Sequence, residues 1–316
     1  MTDEIRNGRK LMRRKIAIPI GFSTDFSDEV GDVDIIFVHG SCASSNQYNS
    51  MLECLAANVA GDLRDVNEED VDHTGPQLTC YLFDSLGCGE SDHSPHDWYA
   101  YSTDELDSDL EAITRLVLGQ ESCKPDTPLF LVGHSFGVSQ VIRLVNKLNA
   151  EKFTDRIKGV VLISGAINGG PLGNMDGGHW IFRYLPLSVL RRIQPILSQS
   201  FFKAAVHPSN QQRLQKSAND LSNANDMAMC RAFYRQQKYA TVNDAKALEV
   251  NAIIIHGEND RVFPLKAGEH LNNSIPSSKL IVIKNASHQV FEECPKSVAS
   301  ALQNFVFGTF TCAKSK

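Results

Sequence analysis

Residues 129–145 read LFLVGHSFGVSQVIRLV. Leu129 to Val132 is an unbroken apolar run, as a strand covered on both faces requires. Gly133-His134-Ser135-Phe136-Gly137 interrupts it with two glycines around a serine. From Phe136 onward apolar residues recur at helical spacing. A strand that turns into a helix within one or two residues makes a sharp corner, where side chains on both sides of the serine would clash. Such a corner lifts the hydroxyl clear of the sheet, with a helix N-terminus beneath it. Alone, the pentapeptide leaves two readings open for Ser135: a nucleophile, or a polar residue in a glycine-rich bend.

The same alternation extends along the chain. Strand-like runs fall at 11–21, 33–40, 78–84, 128–135, 157–164, 251–257 and 278–285. Helical patterns lie between them at 49–60, 102–119, 135–150, 265–274 and 297–308, and Ser102 or Thr103 with Glu105 makes a capping start to the second. This βαβα rhythm predicts an α/β protein with an open, doubly wound, mostly parallel sheet. One segment breaks it. Residues 165–239 hold no strand-like run and predict an inserted helical cap, leaving 1–164 and 240–316 as the two parts of the core. Within the cap, Leu185, Val189, Ile193 and Leu197 lie four apart, Arg183, Arg191 and Arg192 interleave, and Pro186 and Pro195 are expected to split the run into short helices. That apolar face packs on the core in the simplest reading. In a sharper one it roofs a substrate pocket, with Leu185 and Val189 in the lining, or touches a lipid surface. Gly169, Gly170, Gly173, Gly177 and Gly178 could hinge it.

Composition narrows the function classes. The net charge of −6 offers no basic surface for nucleic acid, and 42% hydrophobic with 22% charged residues is the balance of a soluble globular protein. Eight cysteines without CxxC pairs fit a reducing compartment better than a disulfide framework. No apolar stretch approaches a membrane span and the N-terminus has no signal-like apolar run, so a cytoplasmic location is expected. The basic cluster from Arg9 to Lys15 reads as a solvated edge ahead of the first strand, with contact to anionic lipid as the alternative.

If Ser135 is a nucleophile it needs a base, because a serine hydroxyl is unreactive by itself. His288, in IKNASHQVFEECP, follows the last strand-like run on a loop of small residues. The base needs an acid to fix its tautomer, and Asp260 in IIIHGENDRVFP ends the preceding strand by a short loop. Two backbone N–H groups must receive the oxyanion. Phe136 supplies one by position, and Ser41, with Cys42 as the second choice, supplies the other from the loop HGSCASS. His39 and Gly40 set that loop, and with Phe136 they are expected to line the pocket. Other readings are weaker. Gly87-Cys88-Gly89 mimics half of a dinucleotide fingerprint, but Asp92 stands where the third glycine belongs. His93, His96 and Asp97 have a proline among them and no further ligand nearby, so no metal is expected.

HGS at 39–41, FDSLGCGESD at 83–92, GHSFG at 133–137, ENDRVFP at 258–264 and ASHQVFEECP at 286–295 together resemble the α/β-hydrolase superfamily, serine hydrolases with an inserted cap. A narrower resemblance, to one capped subgroup, rests on SANDLSNANDMAMCRAFYRQQKYA at 217–240 and HQVFEECP at 288–295. The resemblance implies a Ser135–His288–Asp260 triad acting without a cofactor on a carboxylic ester, thioester or lipid, in the manner of a carboxylesterase or lipase. Aspartate at position 135 would be needed for a dehalogenase or epoxide hydrolase. Relatives that acylate lysolipids show H-x-x-x-x-D from the catalytic histidine, whereas Glu293 occupies the last position here. Acyl transfer is thus disfavoured. C–C cleavage by the same triad and a non-catalytic lipid-binding scaffold remain the other readings.

Overall fold

The structure is a computed structural model that describes residues 2–6, 8–21, 31–60, 75–94, 97–119, 126–153, 155–177, 180–216 and 225–313. Eight strands form one sheet: β1 (Thr2–Arg6), β2 (Arg9–Pro19), β3 (Val33–Val38), β4 (Gln77–Phe83), β5 (Leu129–His134), β6 (Ile157–Ile163), β7 (Asn251–Gly257) and β8 (Ser278–Ile283). Their spatial order is β1-β2-β4-β3-β5-β6-β7-β8. β2 runs antiparallel to β4 and β1 antiparallel to β2, while every pairing from β4 to β8 is parallel. The expected doubly wound, mostly parallel α/β sheet is therefore present. β1 was not legible, because TDEIR has neither an apolar run nor alternation.

The continuous apolar runs divide their side chains between two cores with a period of two. Ile36, Val38, Leu129, Leu131, Val160, Leu162 and Ile254 face one side, where α2 (Thr103–Leu118) and α3 (Phe136–Ala150) pack. Ile35, Phe37, Phe130, Val132, Val161, Ile163 and Ile255 face the other, against α1 (Asn49–Val59) and α10 (Pro295–Ala313). Each fully buried aliphatic chain contributes about 1.5–3 kcal/mol, so both layers are needed to hold the sheet. The Ser102 side chain accepts from the Glu105 N–H at 3.3 Å and starts α2 as expected.

Between β6 and β7 the chain passes through α4 (Trp180–Tyr184), α5 (Leu187–Ala205), α6 (Met227–Gln236) and α7 (Val242–Lys246), and α8 (Leu265–Ser274) then joins β7 to β8. Pro186 separates α4 from α5, but Pro195 lies inside α5 and does not break it. An interior proline costs about 3 kcal/mol, and the burial of Leu190, Phe202 and Ala205 along the same helix offsets it. The buried stripe is thus set by Leu190; Val189 is exposed and Leu185 sits in the break between the helices. Gly178 lies outside the described residues.

The basic cluster is also reassigned. Arg9 to Lys15 lies within β2, where Arg9 ties the strand to α2 by pairing with Glu105 at 2.7 Å and Asp109 at 3.0 Å, and Arg14 donates to Asn49 of α1 at 2.7 Å.

The chain order reverses between β3 and β5, which opens a crevice at the carboxyl ends of those strands, where open α/β sheets take their ligands. α3 enters that crevice with almost no clearance. A Cβ on Gly137 would stand 2.6 Å from the Val38 carbonyl oxygen, and one on Gly133 would stand 2.6 Å from the Gly137 carbonyl oxygen. Gly137→Ala should lower stability by about 1–3 kcal/mol through overpacking, read as a lower urea midpoint at unchanged slope. A wild-type midpoint would show that the corner has slack.

Candidate active site

Ser135 connects β5 to α3 with φ 53° and ψ −116°, a left-handed conformation that L side chains rarely adopt. Holding it costs about 1–3 kcal/mol. The corner is held by the Ser135 N–H donating to the Ile163 carbonyl at 2.9 Å and by the close glycine contacts. The result aims the Ser135 hydroxyl away from the sheet.

His288 lies on the loop between β8 and α9 (Val290–Glu293). Its Nε2 is 3.0 Å from Ser135 Oγ, and its Nδ1 is 2.8 Å from Asp260 Oδ2. A carboxylate only accepts, so the imidazole carries its proton on Nδ1 and leaves Nε2 to accept from the serine hydroxyl. Asp260 is fixed from its other oxygen, where Oδ1 accepts the Val262 and Phe263 N–H groups at 2.8 and 2.9 Å. The turn at 260–263 and the contact with His288 are therefore held by the two oxygens of one carboxylate. All three residues are buried. The three positions that sequence reasoning paired across the chain meet in one hydrogen-bonded line.

The loop after β3 lies against this line. A Cβ on Gly40 would stand 3.2 Å from Ser135 Cβ, which measures how close the loop comes to the serine. Gly40 accepts from the Ala43 N–H at 3.2 Å, and Cys42 takes φ 52° in the turn so formed. Phe136 is the first residue of α3, where an N–H has no partner within the helix. His39, Gly40, Ser41, Cys42 and Phe136 line one cavity, together with Leu86, Cys88, Tyr101, Leu106, Met229 and Phe233. Its volume is about 20 Å³, room for a water and not for an acyl chain. Leu185 and Val189 do not line it, a correction that follows from the shifted stripe of α5.

His39 is a structural residue. Its Nε2 accepts from the Ser85 N–H at 2.9 Å, so the proton sits on Nδ1 and is donated to the Gly40 carbonyl at 2.7 Å. Burial holds this imidazole below its ordinary 6.5. The glycine loop at 84–91 is structural too. Asp84 accepts from the Ser45 N–H at 2.7 Å and the Glu90 N–H at 3.0 Å, which pins the loop to the segment after β3. Among the described residues no group of three His, Cys, Asp or Glu is placed to hold a metal ion. His96 lies outside those residues.

Several positioning residues were invisible in the sequence. His134, between Gly133 and Ser135, donates from Nε2 to the His288 carbonyl at 3.2 Å, with the two rings 4.9 Å apart. Its burial and the neighbouring His288 ring keep it well below its ordinary 6.5. Gln237 donates to Ser41 Oγ at 3.1 Å, and Asn225 to the Cys42 carbonyl at 2.9 Å, so the segment around α6 grips the loop after β3. Glu293 accepts from the Ser287 N–H at 2.7 Å, the His207 N–H at 2.7 Å and Asn210 Nδ2 at 3.1 Å, clasping the histidine loop to the end of α5. The sequence marks Glu293 only as a departure from the acyltransfer box.

A family model described as the alpha/beta hydrolase fold matches residues 35–295. Protein ABHD8 of Mus musculus is 29% identical over 180 residues, 56% of this chain and 38% of that protein. Protein ABHD8 of Homo sapiens is 28% identical over 227 residues, 71% of this chain and 47% of that protein. The match thus spans less than half the length of these curated relatives. Among solved structures, an esterase from Exiguobacterium antarcticum superposes with a TM-score of 0.71 at 14% identity, covering 97% of this chain and 98% of its own. A bromoperoxidase from Bacillus anthracis gives 0.69 at 19% identity, covering 96% and 98%. These two show a shared fold.

Burial keeps His39, His134 and His256 below their ordinary 6.5. The unfolded chain therefore binds protons that the native state refuses as the pH falls below about 6.5. Stability should drop on acidification, each histidine contributing up to about 1.4 kcal/mol per pH unit until its native value is reached. Urea midpoints measured from pH 7.5 to 5.5 check this, and a flat profile would contradict it.

Proposed function

The chain belongs to the α/β-hydrolase fold family, and from that premise we propose that it is a serine hydrolase that cleaves a carboxylic ester through an acyl-enzyme. One observation carries the reading: His288 bridges Ser135 at 3.0 Å and Asp260 at 2.8 Å in a buried line. In the proposed reaction Ser135 Oγ attacks the ester carbonyl while its proton passes to His288 Nε2. Asp260 holds Nδ1 and stabilises the imidazolium. The oxyanion is received by the N–H groups of Phe136 and Ser41, in a site where such donors are worth about 100- to 1000-fold each. His288 then returns its proton to the departing alkoxide. A water, deprotonated by His288, attacks the acyl-enzyme and releases the carboxylic acid and the free serine.

Leu86, Leu106, Met229 and Phe233 give the cavity beside Phe136 an apolar wall, which supports an apolar acyl group, as a lipid-like ester carries. Met229 and Phe233 belong to α6, and at about 20 Å³ the cavity would admit an acyl chain only as its walls move. We accordingly treat 165–239 as a cap over a core formed by 1–164 and 240–316. The engagement of Glu293 with three donors gives it a structural task, and its place where relatives that acylate lysolipids carry aspartate supports hydrolysis over acyl transfer.

A fluorophosphonate probe should label the wild type and not Ser135→Ala. Hydrolysis of p-nitrophenyl esters should fall by about 10⁴-fold in Asp260→Asn, where the imidazole takes the wrong tautomer. Absence of labelling in folded wild-type protein would overturn the reading, and a strict preference for acetate over longer chains would remove the lipid-like substrate.

A further inference from the structure

The segment that carries α4 and α5 has an unusual charge. Between Asp176 and Asp220 there is no aspartate or glutamate, while Arg183, Arg191, Arg192, Lys203, Arg213 and Lys216 contribute six positive charges. The chain as a whole carries −6, so everything outside the segment carries −12. Arg191 pairs with Asp226 at 3.7 Å and Arg213 donates to the Glu292 and Glu293 carbonyls, so Arg183, Arg192, Lys203 and Lys216 carry the positive surface that would attract an anionic partner.

The segment is also unusually apolar where it is exposed. Of the ten large hydrophobic residues exposed among the described residues, five lie here: Trp180 at 57%, Tyr184 at 70%, Val189 at 39%, Ile196 at 67% and Phe201 at 48%. Val189, Ile196 and Lys203 repeat every seven residues, so they share one face of α5, with Arg192 three positions after Val189. The opposite face holds the buried Leu190, Phe202 and Ala205. Packing on the core explains that inner stripe and leaves the outer one unexplained. A shallow groove opens on the outer side, lined by Pro195, Ile196, Gln199, Ser200 and Lys203. In α4 the Arg183 guanidinium lies 6.0 Å from the centre of the Tyr184 ring. Aromatic and aliphatic residues interleaved with arginine and lysine are the composition of helices that lie in a bilayer interface.

We propose that α4 and α5 dock the protein on an anionic lipid bilayer, with Tyr184, Val189 and Ile196 entering the boundary of headgroups and acyl chains and Arg192 and Lys203 meeting the anionic headgroups. Charge selects this occupant. A second copy would bring the same positive face against itself, since a two-fold contact pairs identical patches. A neutral surface would leave the segregated charge without a counterpart. Phe201, on the inner side of the same helix, places its ring 6.4 Å from that of His288, so the helix that carries the docking face also reaches the candidate active site. This inference goes beyond ester hydrolysis and does not depend on it, so it can be tested in a protein without the serine.

Co-sedimentation of the full chain with vesicles separates the outcomes. Wild type and Ser135→Ala should both bind phosphatidylcholine vesicles containing about one third phosphatidylserine, and neither should bind phosphatidylcholine alone. Arg192→Gln combined with Lys203→Gln should weaken binding about 30-fold, taking a factor of roughly five for each basic residue at the surface. Ile196→Glu should abolish it. These positions are exposed, and thermal unfolding checks that each variant stays folded; should Ile196→Glu fail to fold, the double glutamine variant carries the test. Failure of the wild type to bind the anionic vesicles would overturn the proposal. So would binding that the variants leave unchanged. A dimer that forms without vesicles and dissolves in Ile196→Glu would assign the face to a second copy and overturn it equally.

Discussion

The contact between the start of α3 and the backbones of β3 and β5 is the constraint on which the site depends. Gly137 lies so near the Val38 carbonyl that no side chain fits between them, and Gly133 lies equally near the Gly137 carbonyl. That closeness forces the connecting residue into the left-handed region, and Ser135 occupies it at φ 53°. A larger residue at either glycine would push the helix off the sheet and relax the turn. The strain in Ser135 is thus sustained by packing: the apolar layers on both faces of the sheet hold strand and helix in place, and the serine takes the backbone geometry that is left. The same contact brings the loop after β3 alongside, because Val38 and His39 are the residues Gly137 touches. Under the proposed chemistry, nucleophile and oxyanion donors are set by one packing event.

His288 is held differently. No regular element carries His288; its loop is fastened at several points. Asp260 fixes the ring, His134 takes its carbonyl, and Glu293 binds the N–H of Ser287 beside it. The Ser287 hydroxyl donates to the Ala204 carbonyl at 2.9 Å, and the Gln289 N–H donates to the Ala205 carbonyl at 3.1 Å. The last turn of α5 is therefore part of the support of the histidine. A loop with so many anchors keeps its imidazole within reach of the serine, as the proposed role of general base would require.

Ser135, His288 and Asp260 were legible because each combines a reactive side chain with a position that strand and turn patterns already mark. Chain order then links them across 153 and 28 residues. The sheet was legible for a similar reason: strands buried on both faces leave apolar runs that no surface helix shows. The supports were not legible. Gln237, Asn225 and Glu293 are common polar residues whose roles exist only once distant segments meet. The stripe of α5 was misplaced by one position, onto Val189 in place of Leu190, because the spacing starts from Leu185, which falls in the break that Pro186 makes. Periodicity fixes a face only relative to a correct helix start. Pro195 misled in the opposite sense, since an interior proline is a local cost that burial along a 19-residue helix can exceed.

α5 faces three surroundings at once. Leu190 and Phe202 are buried beneath it, its last turn grips the histidine loop, and its outer face is basic and apolar. The cavity beside Phe136 is too small for an acyl chain, and two of its lining residues, Met229 and Phe233, belong to α6, which packs against α5 and α4. Opening that cavity therefore disturbs the helices that carry the exposed apolar residues. Insertion of Ile196 and Tyr184 into a bilayer would release apolar surface from water, worth roughly 25 cal/mol for each Å² removed. Under the two proposals, that free energy would become available at helices packed on a wall of the cavity, and lipid contact and opening of the cavity would be coupled through the packing of α6 on α5.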